Sequence, residues 1–368
     1  MKFSVTREAL LKPLQLVAGV VERRQTLPVL SNVLIRNQGN RLSLTGTDLE
    51  VELVGQLQLE TQGQDGDITV PARKLLDICR SLPEGAHIDF VVEGQKATLK
   101  SGKSRFTLST LPASDFPSVE SSPGALEFTL LGSQLKRLID RTAFSMAQQD
   151  VRYYLNGMLF ELRPDHLRTV ATDGHRLAMC TCAMSTPAQN TPHHAILPRK
   201  GVMELLRLLG DGSGELKLVF GSNHFRAFLP DFTFTSKLVD GKFPDYDRVL
   251  PKGGDKVVVA ARAELKQAFN RAAILSNEKY RGVRLMLSNG NLVMVANNPE
   301  QEEAEEQVQV NYTGGTLEIG FNISYLAEVL GVLGEDKIKM TLSDSNSSVL
   351  LEEAEAGDSL YVVMPMRL

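Results

Sequence analysis

Hydrophobic and polar positions change period in the same order several times along this chain. Lys2 to Thr6 alternates, and Leu10, Leu11, Leu14, Val17, Ala18 and Val21 then recur at helical spacing. This predicts a short strand and an amphipathic helix over 6–24, with Thr6 as N-cap and Pro13 kinking it. The order returns at Leu126 to Leu130, where Ser133 is the expected cap of a helix over 133–147 carrying Leu135, Leu138, Ile139 and Ala143. It returns again at Val257 to Val259, ahead of a helix over 263–279 carrying Leu265, Ala268, Phe269, Ala272 and Ala273. Strands containing Val33-Leu34-Ile35, Gly157 to Phe160 and Val283 to Leu287 follow these helices. A second helix is predicted in each copy, over 71–81, 198–209 and 323–333. Pro71 and Pro198 stand where a missing N–H costs least. Each copy closes on alternating strands, within 96–111, 224–238 and 348–364.

A similar strand-ending corner marks each copy: Thr45-Gly46-Thr47-Asp48, Ala171-Thr172-Asp173-Gly174 and Ala296-Asn297-Asn298-Pro299. The spacing of roughly 125 residues is too long for a solenoid or propeller, so the repeated unit is a whole domain. Linker composition at Ser121-Ser122-Pro123-Gly124 and Pro251-Lys252-Gly253-Gly254-Asp255 puts the domains at 1–122, 126–252 and 254–368. Two helices and several strands per copy make an α+β fold. With 42% hydrophobic and 23% charged residues, the chain falls in the ordinary globular range; with no Trp and 6% aromatics, its cores should be aliphatic.

Cys79, Cys180 and Cys182 form no disulfide framework, which fits a reduced, cytoplasmic setting. No leader-like run opens the chain, and no stretch has the roughly 18 apolar residues of a membrane span. The net charge of −4 argues against nucleic acid until the charge is located. In the six predicted helices Lys and Arg outnumber Asp and Glu about two to one, so the acidic excess lies elsewhere. Basic helix faces suit duplex phosphates. No zinc-finger spacing, basic zipper or RNP motif offers a base reader, so such contacts would be blind to sequence.

Asp173 and His175 could suggest acid–base chemistry, but no Ser or Cys nucleophile motif accompanies them. Cys180-Thr181-Cys182 and His193-His194 lack zinc-site spacing. No catalytic residue, metal or cofactor is expected.

The whole chain resembles the bacterial sliding clamps, the beta subunit of DNA polymerase III. The motifs are Thr26-Leu27-Pro28-Val29-Leu30, Thr45 to Glu50, Asp150 to Met158, Ala171 to Leu177, Thr235 to Tyr246, and the tail Tyr361 to Leu368. The resemblance implies a head-to-tail homodimer, a ring of six similar domains with helices lining the hole and duplex DNA threaded through it. It implies a processivity factor that tethers the DNA polymerase III alpha subunit and other polymerases and repair factors, is loaded by an ATP-driven clamp loader, and stays off membranes.

By resemblance the DNA-contacting set is Arg24, Arg73, Gln149, Tyr153, Tyr154, Arg199 and Lys200, with the two tyrosines beside a tight Asn156-Gly157 turn. Gln148 stands where familiar members carry a His. The implied partner-peptide pocket comprises Leu155, Thr172, Gly174, His175, Arg176, Leu177, Pro244, Arg248, Val249, Asn322, Tyr325, Val362, Met364, Pro365, Met366 and Arg367. Leu, Val and Pro would supply an apolar floor, the methionines adaptability, and the arginines a hold on a peptide backbone or carboxylate. Its ligands would be short segments of the Gln-Leu-x-Leu-Phe kind. Asn346 stands near the pocket where familiar members carry an apolar residue. The implied dimer edge sets Lys74, Lys96, Lys103, Arg105, Phe106 and Leu108 of one chain against Ile274, Leu275, Glu300, Glu302, Glu303, Glu305 and Glu306 of the other.

Overall fold

The predicted order of strands and helices recurs in the computed structural model, which describes residues 1–22, 27–117, 119, 126–355 and 357–367. The first copy runs β1 (Lys2–Thr6), α1 (Arg7–Val20), β2 (Asn32–Gln38), β3 (Arg41–Thr47), β4 (Val51–Gln58), β5 (Gly66–Pro71), α2 (Ala72–Ser81), β6 (His87–Glu93), β7 (Lys96–Ser101) and β8 (Ser104–Ser109). The second runs β9 (Leu126–Leu131), α3 (Gly132–Thr142), β10 (Gly157–Arg163), β11 (His166–Thr172), β12 (Arg176–Ala183), β13 (His193–Pro198), α4 (Arg199–Leu209), β14 (Glu215–Phe220), β15 (His224–Phe228) and β16 (Phe232–Lys237). The third runs β17 (Lys256–Ala261), α5 (Arg262–Ala272), β18 (Gly282–Ser288), β19 (Asn291–Asn297), β20 (Glu303–Gln309), β21 (Leu317–Asn322), α6 (Ile323–Val332), β22 (Lys337–Leu342), β23 (Val349–Glu353) and β24 (Ser359–Val363). Each copy is thus a strand, a helix and three strands, written twice.

The structure forms two compact units, Met1–Ser133 with Met203–Leu238, and Gln134–Val202 with Val239–Leu368. The first holds a sheet in the order β1-β6-β7-β8 and one in the order β5-β2-β3-β4-β16-β15-β14-β9. The second holds β13-β10-β11-β12-β24-β23-β22-β17 and β20-β19-β18-β21. All the pairings are antiparallel. The eight-stranded sheets arise because β4 of the first copy pairs with β16 of the second, and β12 of the second with β24 of the third. These shared sheets make the compact units cut across the sequence copies. The same rule leaves two edges over: β8 from the first copy and β20 from the third.

Thr6 caps α1 by accepting from the Ala9 amide. The first helices are shorter than their periodicity predicts. α1 ends at Val20, and α3 and α5 tighten into 3₁₀ turns at Ala143–Ser145 and Ala273–Leu275. Ser133 lies inside α3, which begins at Gly132. The cation excess survives this trimming, since α2 to α5 each hold three Lys or Arg against one Asp or Glu. The cores are less aliphatic than composition predicts. Tyr361, Phe90, Phe160, Phe220, Phe225, Phe234, Phe269 and Phe321 are among the largest fully buried side chains, so the few aromatics are concentrated inside.

Candidate partner pocket and nucleic-acid interface

The pocket residues from the second and third copies meet because β12 and β24 pair, setting Leu177 opposite Val362. The corner between β11 and β12 is built by its own side chains. The Thr172 hydroxyl donates to the Arg176 carbonyl at 2.6 Å and accepts from the Gly174 amide at 3.1 Å, while Asp173 accepts from the amides of His175 and Arg176 at 2.9 and 3.0 Å. Gly174 takes φ +89°, a conformation that penalises any Cβ.

Arg176 leaves this corner already committed. Its Nε donates to Asp173 at 3.0 Å, its Nη1 pairs with Glu328, and its Nη2 donates to the Phe144 carbonyl at 2.9 Å. The guanidinium lies 4.3 Å from the Tyr325 ring centre and 5.3 Å from that of Phe144. Its side chain is held in place, braced by two carboxylates and two rings. Arg248 is 85% exposed with Asp245 at 2.8 Å, and is the more available cation.

The floor is apolar. Leu177 and Val362 are buried with Leu159, Val170, Met179, Ile196, Phe243 and Tyr246, and Tyr154, Val249 and Leu250 pack on this cluster. Leu155 is buried, Pro244 and His175 are exposed, and Thr172 is half-buried. The tail is held by its backbone: the Met364 amide donates to the His175 carbonyl at 2.9 Å, and the Met366 amide to the Gly320 carbonyl at 2.9 Å. Met364 is left 38% exposed, while Pro365 and Met366 are half-buried and Arg367 is exposed. Asn322 caps α6 through the amides of Ser324 and Tyr325. Its side-chain amide also donates to the Tyr280 carbonyl at 3.4 Å, bringing in a 58% exposed tyrosine missing from the sequence-derived set. The signal available was Lys279-Tyr280, a cation and an aromatic side by side in a polar loop. Asn346 is exposed in a turn where its amide donates to Asp344.

A cleft of about 510 Å³ adjoins this wall, lined by Phe144, Gln148, Asp150, His175, Arg176 and Arg199 among others. Arg152 holds Asp150 through a hydrogen bond and its charge, lowering the Asp150 carboxyl to about 2. Arg152 also donates to the Asp173 carbonyl at 3.2 Å, tying the loop of the nucleic-acid candidates to the corner. Gln149 is exposed with φ +56°, Tyr153 is 58% exposed, and Tyr154 packs edge-on to it at 5.8 Å. Arg199 and Lys200 are half-buried, and Arg199 donates to the Met146 carbonyl at 3.4 Å. Arg73 is exposed on α2, and Arg24 lies outside the described residues. Asn156 closes a 3₁₀ turn and Gly157 opens β10, so no two-residue Asn-Gly turn forms. A Cβ on Gly157 would sit 2.6 Å from the Leu197 carbonyl oxygen, so the close approach of β13 requires glycine.

Apart from Lys74, the implied dimer-edge residues lie on or beside the two leftover strands. Lys96, Lys103 and Arg105 are exposed around β8, with Phe106 half-buried and Leu108 buried. Lys74 is exposed on α2. Glu300, Glu302, Glu303 and Glu305 are exposed at β20 and its entry, whereas Glu306 is already bound by Arg271 at 2.7 Å. Ile274 is 75% exposed beside the half-buried Leu275.

Repeated α+β domains, a tail held by its backbone and an apolar floor beside it define a duplicated α+β scaffold with a candidate binding face. Family models of the DNA polymerase III beta subunit match residues 1–120 (N-terminal domain), 129–245 (central domain) and 247–367 (C-terminal domain). The beta sliding clamp of Pseudomonas aeruginosa is 66% identical over 368 residues, covering all of both chains, and that of Escherichia coli K12 is 56% identical over 369, again covering both. A crystal structure of the Pseudomonas aeruginosa DNA polymerase sliding clamp with ligand superposes at TM-score 0.97, with 66% identity and full coverage of both chains. The chain belongs to the DNA polymerase III beta subunit family, the beta sliding clamps.

Proposed function

We propose that this chain is a DNA sliding clamp, a processivity factor that closes head to tail with a second copy around duplex DNA. The observation that carries this reading is the pair of leftover edges. Inside the chain, β4 pairs with β16 and β12 with β24, and among the described strands that hold the same place in their half-copies β8 and β20 are left without such a partner. One is rimmed by Lys and Arg, the other by Glu. A heterologous contact of that kind closes a ring when its rotation suits, and opposite charge prevents either edge from pairing with itself. The domains of the ring are taken as 1–122, 126–252 and 254–368.

Lys12, Arg73, Arg80 and Lys266 are helix cations with no ion pair among the described residues, and they suit weak, sequence-blind phosphate contacts. Encirclement allows such contacts to stay weak and the clamp to slide. The pocket of Leu155, Leu177, Val249, Val362 and Met364 would take short apolar peptides from the polymerase III alpha subunit, the ATP-driven clamp loader and repair factors, with Tyr280 as an additional wall. The clamp would work in the cytoplasm without cofactor or catalysis of its own. Retention on nicked circular DNA tests this reading: the protein should co-elute with the closed circle and be lost when the circle is linearised. Equal retention on both would leave adhesive binding, and DNA turnover by the purified chain would replace it with an enzyme.

A further inference from the structure

The sheet face that carries the pocket is laid out in rows. Ile196, Leu159, Val170 and Met179 stand abreast on β13, β10, β11 and β12, and two residues further from the pocket so do His194, Glu161, Arg168 and Thr181. The first row is apolar and buried beneath Phe243 and Tyr246. The second is a charge network around one buried carboxylate, with His194 exposed at its end and Arg168 and Thr181 half-buried. Glu161 is 2% exposed and lies 2.9 Å from His194 Nε2. It accepts from Arg163 Nε at 2.9 Å and from Arg168 Nη1 at 3.5 Å. Arg168 also donates to the Thr181 hydroxyl at 2.9 Å and to the Tyr246 hydroxyl at 3.1 Å, so it links Tyr246 to Glu161.

A carboxylate this buried is costly unless several donors hold it, and a sheet row needs no charge for its own stability. What the network reaches outside the sheet is Tyr246. That residue opens the 3₁₀ turn Tyr246–Arg248, between Pro244 and Val249. The segment is pinned upstream by the Val239 amide, which donates to the Ile196 carbonyl at 2.8 Å.

We propose that Glu161 and Arg168 are positioning residues for the partner pocket: they fix the Tyr246 hydroxyl, and through it the turn that presents Pro244, Arg248 and Val249. This inference rests on the pocket reading above. The Tyr246→Phe variant keeps the packed ring and removes only the oxygen. A labelled peptide of the Gln-Leu-x-Leu-Phe type should bind this variant, and Glu161→Gln, about fivefold more weakly than the parent, as expected for one lost hydrogen bond in each case. The double variant should be no weaker than either single one, because all act through one link. Because the chain has no Trp, Asp247→Trp gives a single reporter. Its anisotropy should fall when Tyr246→Phe is added; a role confined to sheet stability would leave it unchanged. Affinities within twofold of the parent, or multiplying losses in the double variant, would overturn the proposal. Should Glu161→Gln fail to fold, Tyr246→Phe and the reporter decide it. Deleting Met364 to Leu368 separates the two layers. Peptide binding that survives the deletion sinks the pocket reading, whereas binding lost on deletion but untouched by Tyr246→Phe sinks only the positioning role.

Discussion

Leu49 and Gly174 occupy equivalent places in two copies of one corner, at φ +78° and +89°. Around them the bonding is the same: Thr47 donates to the Val51 carbonyl and accepts from the Leu49 amide, and Asp48 accepts from the amides of Glu50 and Val51. The left-handed conformation costs a side chain roughly 1–2 kcal/mol, while glycine costs about 0.5–1 kcal/mol in lost freedom. Leu49→Gly should therefore stabilise the protein by about 0.5 kcal/mol and Gly174→Ala destabilise it by about 1 kcal/mol, read as opposite shifts in urea midpoint. The Ala variant is also crowded, since its Cβ would lie 3.0 Å from the Arg152 guanidinium. Thr-Asp was legible as a corner because both side chains bond the backbone locally. The third corner was legible only loosely: there Asn298 bonds the Glu302 amide four residues on, and the positive φ moves to Gln301. The locked state of Arg176 could not be read at all, because its partners Phe144, Tyr325 and Glu328 are distant in sequence.

Helices and strands were legible where their period was long, and their ends where a side chain caps them, as Thr6 and Asn322 do. Tertiary ties were not legible. Arg141, at the end of α3, meets Glu353 at 3.2 Å and donates to the Val332 carbonyl, and both charged side chains are at most 10% exposed. Removing one partner strands the other in the interior, so Glu353→Ala should cost about 3–5 kcal/mol, measurable by denaturant unfolding. The Glu161 row ties strands together in the same way. Burial raises its carboxyl pKa, but hydrogen bonds from His194, Arg163 and Tyr246 outweigh that and bring it from the ordinary 4.5 to about 2. A depressed carboxyl stabilises the fold fully above its unfolded value and loses that contribution as pH falls through its folded value. Between pH 4.5 and about 2 the parent should lose roughly 3 kcal/mol that Glu161→Gln does not lose, read as the difference between their urea midpoints across that window. The internal halving of each copy into two strand-helix-three-strand units was missed although both helices were read, because only the first of the three strands after each first helix was given residues.

At the scale of the whole molecule, the sheets leave β8 and β20 without the partner that their counterparts have. An exposed strand edge invites another strand, and charge on it decides which one. At β8 and its hairpin the exposed charges are Lys96, Lys100, Lys103 and Arg105; at β20 and its entry they are Glu300, Glu302, Glu303 and Glu305. Rim ion pairs contribute little each, so the association itself should rest on apolar contact, for which Ile274 is 75% exposed. Ile274→Ala with Leu275→Ala should give monomers in sedimentation at low micromolar concentration. The charges instead set the pairing, and they permit a sharper experiment. A chain with Glu303→Lys and Glu305→Lys presents two positive edges, and a chain with Lys103→Glu and Arg105→Glu two negative ones. Each alone should associate at least tenfold more weakly than the parent, since both contacts of its homodimer set like charges face to face. Mixed together, the positive β20 of one meets the negative β8 of the other, and the second junction pairs the unaltered edges in the same complementary sense. The mixture should therefore form heterodimers and regain retention on circular DNA that neither variant shows alone. Dimers that persist in the separate variants, or a mixture that stays monomeric, would mean that β8 and β20 do not meet, and the head-to-tail closure would have to be sought elsewhere on the molecule.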